Sequence, residues 1–181
     1  MSQSKVHARI EELLANNREF AKEWHNPFHM KEMRPKAKAS ETGILVLTCL
    51  DPRVVPEAFL GPNLGAGVVR NAGGRANDEA IRSILVLRSL ANVKAVLVIH
   101  HTDCGMTHVT EEEIKKDIVA RGGEAALGKW EQGSFGAFSA AEFEDVIRRD
   151  VESLRKEKVL EGVEILGYGM DIDEGVVREV K

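Results

Sequence analysis

The sequence predicts an α/β fold, a mainly parallel central β-sheet flanked by helices, in a single domain spanning residues 1–181. Three observations predict it. Short, apolar, β-branched runs recur as "GILVLTC" (Gly43–Cys49), "AGVVR" (Ala66–Arg70) and "VKAVLVIH" (Val93–His100). Strands buried on both faces of a parallel sheet look like this. Segments with apolar residues at helical spacing alternate with these runs. No internal repeat or low-complexity block divides the 181 residues, a length that supports one real core.

Each element has its own signature. Residues Val6 to Trp24 carry Ile10, Leu13, Leu14, Ala21 and Trp24 near one face, which predicts an amphipathic helix. Such a helix can pack on its own domain or on a partner subunit. "HNPFHMKEMRPKAKAS" follows, and Pro27 and Pro35 predict an irregular surface connection there. After the first two strands, "NDEAIRSILVLRSL" opens on a cap at Asn77 or Asp78 and repeats Ile81, Ile84, Leu85 and Leu87 at helical spacing. "TEEEIKKDIVARGG" combines a Thr110 cap, three first-turn glutamates and terminal glycines. A longer amphipathic helix starts near Ala140. The chain closes as a strand in "VEILGYGM", a turn at Asp173 to Gly175 and a short final strand.

The charge balance excludes some functions. A formal net charge of −4 gives no basic surplus for nucleic acid or an anionic membrane. No apolar run approaches the roughly 18 residues of a membrane span. "MSQSKVHARIEELL" has no apolar signal core, so a cytoplasmic protein is expected. Two cysteines in a reducing compartment are more often thiols or metal ligands than a disulfide.

The chemistry gathers after two strands. Cys49 ends the first run, and "HHTDCGMTH" (His100–His108) follows the third. Ligands collect at the carboxyl ends of parallel strands, so Cys49, His101 and Cys104 can meet. Two thiolates and an imidazole suit Zn²⁺, and three protein ligands leave a fourth position open, as in catalytic zinc sites. Asp51 and Arg53, two residues apart, can point the same way on an extended segment and form a charge-assisted pair. An arginine so placed keeps the carboxylate ionised and oriented. Other readings stay open. Cys49 and Cys104 can form a redox disulfide with His101 lowering a thiol pKa, and Cys104 with His101 can be a nucleophile and base. "GAGVVR" (Gly65–Arg70) is a poor start to a dinucleotide loop, since Arg70 replaces its third glycine. His108 is read as a solvated surface histidine, with a proton-carrying role as the lesser alternative.

"CLDPR" (Cys49–Arg53), "RNAGG" (Arg70–Gly74) and "HTDCG" (His101–Gly105) together resemble the β-class carbonic anhydrases. The resemblance implies zinc held by Cys49, His101 and Cys104, with catalytic Asp51 and Arg53 beside the fourth position. It implies hydration of CO₂ to bicarbonate by a zinc-bound hydroxide. In some members the aspartate itself takes the fourth position, giving a closed, inactive state. It also implies a homodimer or dimer of dimers, with the N-terminal helix lying across the partner. The chain departs from many members at His100 and Met106, where they carry glycine. Such versions resemble a smaller branch that includes carbonyl sulfide hydrolases, and other members act on carbon disulfide. Carbonyl sulfide hydrolysis to H₂S and CO₂ at the same zinc site is therefore the alternative activity. Ala72, Gly73 and Gly74 are expected to keep one pocket wall low, with Pro52 and Met106 narrowing it.

Overall fold

A computed structural model describes residues 4–25 and 27–181. The chain divides into two compact units, one ending at Met33 and one spanning Arg34–Lys181.

The first unit holds helix α1 (Lys5–Lys22). The Ser4 side chain caps it by accepting the backbone N–H of His7 at 3.2 Å. The helix buries none of its residues, and Val6, Ile10, Leu13, Leu14 and Phe20 stay exposed. Met30–Ala39 forms a second helix, α2, where the sequence predicted an irregular connection. Pro35 lies inside it. The proline removes one helical N–H, but water can satisfy the freed carbonyl because no residue of α2 is buried. Met, Lys, Glu, Arg and Ala around it are good helix formers. Glu32 in the first turn and Lys36 and Lys38 in the last complement the helix dipole. The exit of α2 is fixed by Asn92, whose backbone N–H donates to Ala37 O at 2.9 Å and whose side chain donates to Ser40 O at 2.7 Å.

The second unit is built on a five-stranded sheet of order β2-β1-β3-β4-β5. Its strands are β1 (Gly43–Cys49), β2 (Gly67–Asn71), β3 (Val93–His101), β4 (Glu164–Met170) and β5 (Val177–Glu179). All neighbours pair in parallel except β4 and β5, which pair antiparallel through a tight turn. Asp171 makes that turn by accepting the N–H groups of Asp173 and Glu174. Helices α3 (Pro56–Phe59), α4 (Asp78–Leu90), α5 (Glu111–Gly122) and α6 (Phe143–Lys156) complete the unit. Asn77, not Asp78, caps α4, and Thr110 caps α5 in a reciprocal box with Glu113. The sheet is buried on both faces. Leu45, Leu47, Val96, Val98 and Ile165 pack with Ile84 of α4 and Ile147, Val151 and Leu154 of α6. Val46, Ile99 and Met170 join a second cluster with Val54, Phe138 and Val146.

After β1 the chain runs to β2 on one side, and β3 then inserts on the other. The crevice between the carboxyl ends of β1 and β3 is thus a switch point, where doubly wound sheets bind ligands.

Candidate metal centre

Cys49 is the last residue of β1, and His101 is the last of β3. Cys104 follows in the turn after β3. The Thr48 hydroxyl donates to Ile99 O at 2.7 Å, which ties the two strands just before the site. The ligand atoms of Cys49, His101 and Cys104 all lie within 4.8 Å of one another, and the three residues are buried.

Two observations fit a metal. The Cys49 and Cys104 Sγ atoms stand 3.8 Å apart. Two thiolates bonded at about 2.3 Å to one tetrahedral ion would stand at about that separation, whereas a disulfide bond is near 2.05 Å. The second observation is the His101 ring. Its Nδ1–H donates to the Thr102 carbonyl at 2.9 Å, which fixes the tautomer and leaves Nε2 bearing a lone pair. That Nε2 is buried with no hydrogen-bond partner, a costly state that coordination relieves.

The electrostatics agree. The Cys49 thiol is brought well below its ordinary value, chiefly by the hydrogen bond from Cys104, with the Asp51 and Gly73 amides adding to it. Cys104 is pushed up by that neighbouring thiolate and by burial. Of the two thiols Cys49 is the more readily ionised, and a divalent cation held between them would favour the thiolate form of both.

Asp51 and Arg53 pair as the sequence predicts, but on a turn instead of an extended segment. Pro52 presets the bend, and Asp51 Oδ1 accepts the Arg53 backbone N–H at 2.9 Å. The guanidinium then grips the same carboxylate, Nε to Oδ1 at 3.0 Å and Nη2 to Oδ2 at 2.8 Å. These hydrogen bonds hold the Asp51 carboxyl at about 2. Asp51 Oδ2 stands 3.9 Å from His101 Nε2. Arg53 donates on to Asp103, through Nη1 to Oδ2 at 2.8 Å and Nη2 to the backbone O at 2.9 Å. His108 is exposed but bonded, its Nε2 lying 2.7 Å from Asp103 Oδ1.

The "RNAGG" segment supports the site from below. Arg70 donates to the Cys49 carbonyl at 3.0 Å and to the Asp51 carbonyl at 2.7 Å. Gly65–Arg70 leads into a strand and not into a helix, which disposes of the dinucleotide loop. Gly74 has φ +69°, and a Cβ there would lie 2.9 Å from the Thr48 carbonyl carbon, so only glycine lets this loop approach β1. Met106 packs over Gly73 and against the apolar cluster that holds both cysteines, Val54 and Phe138. Pro52, expected to narrow the pocket, is exposed on its turn, whereas Val54 two residues on is buried in the apolar cluster that holds both cysteines.

Sequence reasoning missed a second network. His100 Nε2 lies 3.2 Å from both Gly74 O and Asp150 Oδ2, and Arg75 Nε donates to Asp150 Oδ2 at 2.8 Å. Burial opposes ionisation of Asp150, but the hydrogen bonds from His100 and Arg75 outweigh it and lower its pKa. Asp150 sits among apolar residues on the α6 stripe, a polar anomaly that was the available signal.

A mixed, mostly parallel sheet with a cysteine–histidine–cysteine cluster at its switch point defines a class of α/β scaffold with a candidate metal site. The family model described as carbonic anhydrase matches residues 44–177, and the chain belongs to the β-carbonic anhydrase family. It is 29% identical over 175 residues to β-carbonic anhydrase 1 of Mycobacterium tuberculosis, covering 94% of this chain and 96% of that one. Over 91 residues it is 41% identical to the carbon disulfide hydrolase of Acidianus sp. strain A1-3, covering 49% of this chain and 44% of that one. The crystal structure of a carbonic anhydrase from Streptococcus mutans superposes with a TM-score of 0.77 at 28% identity, covering all of both chains.

Proposed function

We propose that this chain is a zinc enzyme that hydrates CO₂ to bicarbonate, with Cys49, His101 and Cys104 as ligands and Asp51 and Arg53 as the catalytic pair. The observation that carries this reading is the bare, buried Nε2 of His101 beside two close thiols. Zinc bound there would supply a Lewis acid able to ionise water near neutral pH.

The chain's own residues do the rest. Asp51, kept ionised by Arg53, accepts a hydrogen bond from the attacking oxygen and so aims its lone pair at carbon. Arg70 fixes the carbonyls on either side of Leu50 and thereby the position of that carboxylate. The apolar side chains of Val54, Met106 and Phe138 in the cluster that holds the cysteines suit a small linear molecule without charge. CO₂ and water give bicarbonate and one proton, which leaves to solvent.

A second reading keeps the site and changes the substrate to carbonyl sulfide or carbon disulfide, hydrolysed to H₂S and CO₂. The similarity to the Acidianus carbon disulfide hydrolase and the soft, polarisable thioether of Met106 against the cluster that holds the cysteines favour it. Stopped-flow CO₂ hydration by zinc-loaded protein near pH 8 tests the first reading. Turnover well above the roughly 10 s⁻¹ of a median enzyme supports it. Full zinc with no CO₂ turnover and rapid sulfide release would replace it with the second.

The exposed apolar residues of α1, Val6, Ile10, Leu13 and Leu14 among them, form a face that suits a second copy of the chain. A homodimer is expected by light scattering, and Leu13→Glu with Leu14→Glu should yield monomers.

A further inference from the structure

Among the described residues, Asp103 is the one non-glycine residue with positive φ, at +52°. Left-handed backbone is costly for an L-residue, and such strain persists where surrounding contacts hold it. Here the strained backbone turns both the Asp103 carboxylate and its carbonyl toward Arg53. Nη1 reaches Oδ2 at 2.8 Å, and Nη2 reaches the carbonyl at 2.9 Å. The other carboxylate oxygen faces His108 Nε2 at 2.7 Å. The inner edge of the same guanidinium grips Asp51. The four side chains form one line, His108–Asp103–Arg53–Asp51, that ends beside the ligand cluster.

The exposure of the outer members argues against a role in stability. Arg53 and Asp103 keep 47% and 51% of their side-chain surface, and exposed ion pairs contribute little. What the pair supplies is direction. A guanidinium held on both edges cannot swing away from Asp51. Asp51 Oδ2 is already 3.9 Å from the His101 Nε2 atom, so a carboxylate released by Arg53 has the ligand set within reach of a side-chain rotation.

Building on the metal reading above, we propose that Asp103, steadied by His108, is a positioning residue. It locks Arg53 on Asp51 and so keeps that carboxylate beside the ligand set instead of in it.

The test uses the full chain loaded with Co²⁺, whose visible absorption bands report a change in ligands. Asp103→Gly removes the carboxylate, keeps the carbonyl and tolerates the left-handed backbone. Asp103→Asn, which also tolerates it, keeps one acceptor and should fall between. The expected result for Asp103→Gly is full cobalt uptake, altered bands and kcat lowered about tenfold or more with KM nearly unchanged. In an Asp51→Asn background the same substitution should leave bands and rate within about twofold, because the effect runs through Asp51. Wild-type bands and rate in Asp103→Gly would overturn the proposal, as would an equal loss in both backgrounds. If the wild-type chain takes up cobalt but turns over neither CO₂ nor carbon disulfide, the proposed activity fails while the bands still decide the role of Asp103. Failure to bind cobalt would overturn both.

Discussion

The ring of His101 is held by the carbonyl of the next residue, Thr102, at 2.9 Å. That single bond points a bare Nε2 at the Cys49 and Cys104 thiols, and it uses the chain's own backbone to do so. The orienting group cannot be lost by side-chain mutation, so the three proposed ligands themselves are the sensitive positions. Cys104→Ser replaces a soft thiolate with a hydroxyl that stays protonated near neutral pH. Zinc affinity should fall by more than the roughly 10–100-fold that follows loss of a group one bond further from a metal. Activity should vanish with it. Metal analysis after dialysis checks this, and a fully metallated, fully active variant would remove Cys104 from the ligand set.

Asp51→Asn separates binding from chemistry. The amide keeps the shape and can still meet Arg53 at one oxygen, but it is a poor acceptor for the attacking oxygen. Zinc content should stay at wild type while kcat drops by about 10²-fold, within the range of general acid–base contributions. An unchanged kcat would take Asp51 out of the mechanism.

Much of this was legible in the sequence because the relevant signals are local. Gly43–Cys49 and Val93–His101 are apolar on both faces and bounded by turns, so their ends place Cys49 and His101 at one sheet edge. Other features were not legible for physical reasons. Pro35 reads as a breaker, yet α2 tolerates it because its freed carbonyl can face water. The Asp51–Arg53 grip depends on an Asx turn whose geometry alternation cannot show. Asp103 lay inside the quoted motif, but its positive φ is a property of the folded turn. The His100–Asp150 contact joins β3 to α6 across 50 residues, beyond any spacing rule.

Asp150 itself makes a strong stability prediction. Its side chain is 7% exposed and bridges Arg75 and His100. Asp150→Ala leaves a half-buried guanidinium and a buried imidazole without their acceptor. Breaking a buried ion pair from one side typically costs about 3–5 kcal/mol, and the urea midpoint should fall accordingly. Because Gly74 O also faces His100, the "RNAGG" loop should loosen with it. A change under about 1 kcal/mol would show that water replaces the carboxylate easily and that the network is not structural.

Glu111 carries the pH prediction. Its carboxylate accepts the backbone N–H groups of Phe135 at 2.8 Å, Gly136 at 2.8 Å and Ala137 at 3.0 Å, with the Ser134 hydroxyl at 2.8 Å. Burial works against the charged form, but the bonds from Phe135, Ser134, Ala137 and Gly136 outweigh it and lower the pKa below the ordinary 4.5. A depressed folded pKa means that the stabilisation is complete above the unfolded value. It is lost as pH falls from about 4.5 through the lower folded value. Glu111→Gln should therefore be less stable than wild type by about 1.5–3 kcal/mol at pH 7, the worth of a hydrogen bond to a charged group. The two proteins should converge as pH is lowered below 4.5. Amide exchange at residues 135–137 should quicken in the variant at neutral pH, since these N–H groups lose a charged acceptor. The segment leads directly to Phe138, which belongs to the same apolar cluster as Cys49 and Cys104, so the loosening should reach that cluster. A stability gap that stays constant from pH 7 to pH 3 would show that the carboxylate charge is not what holds this loop.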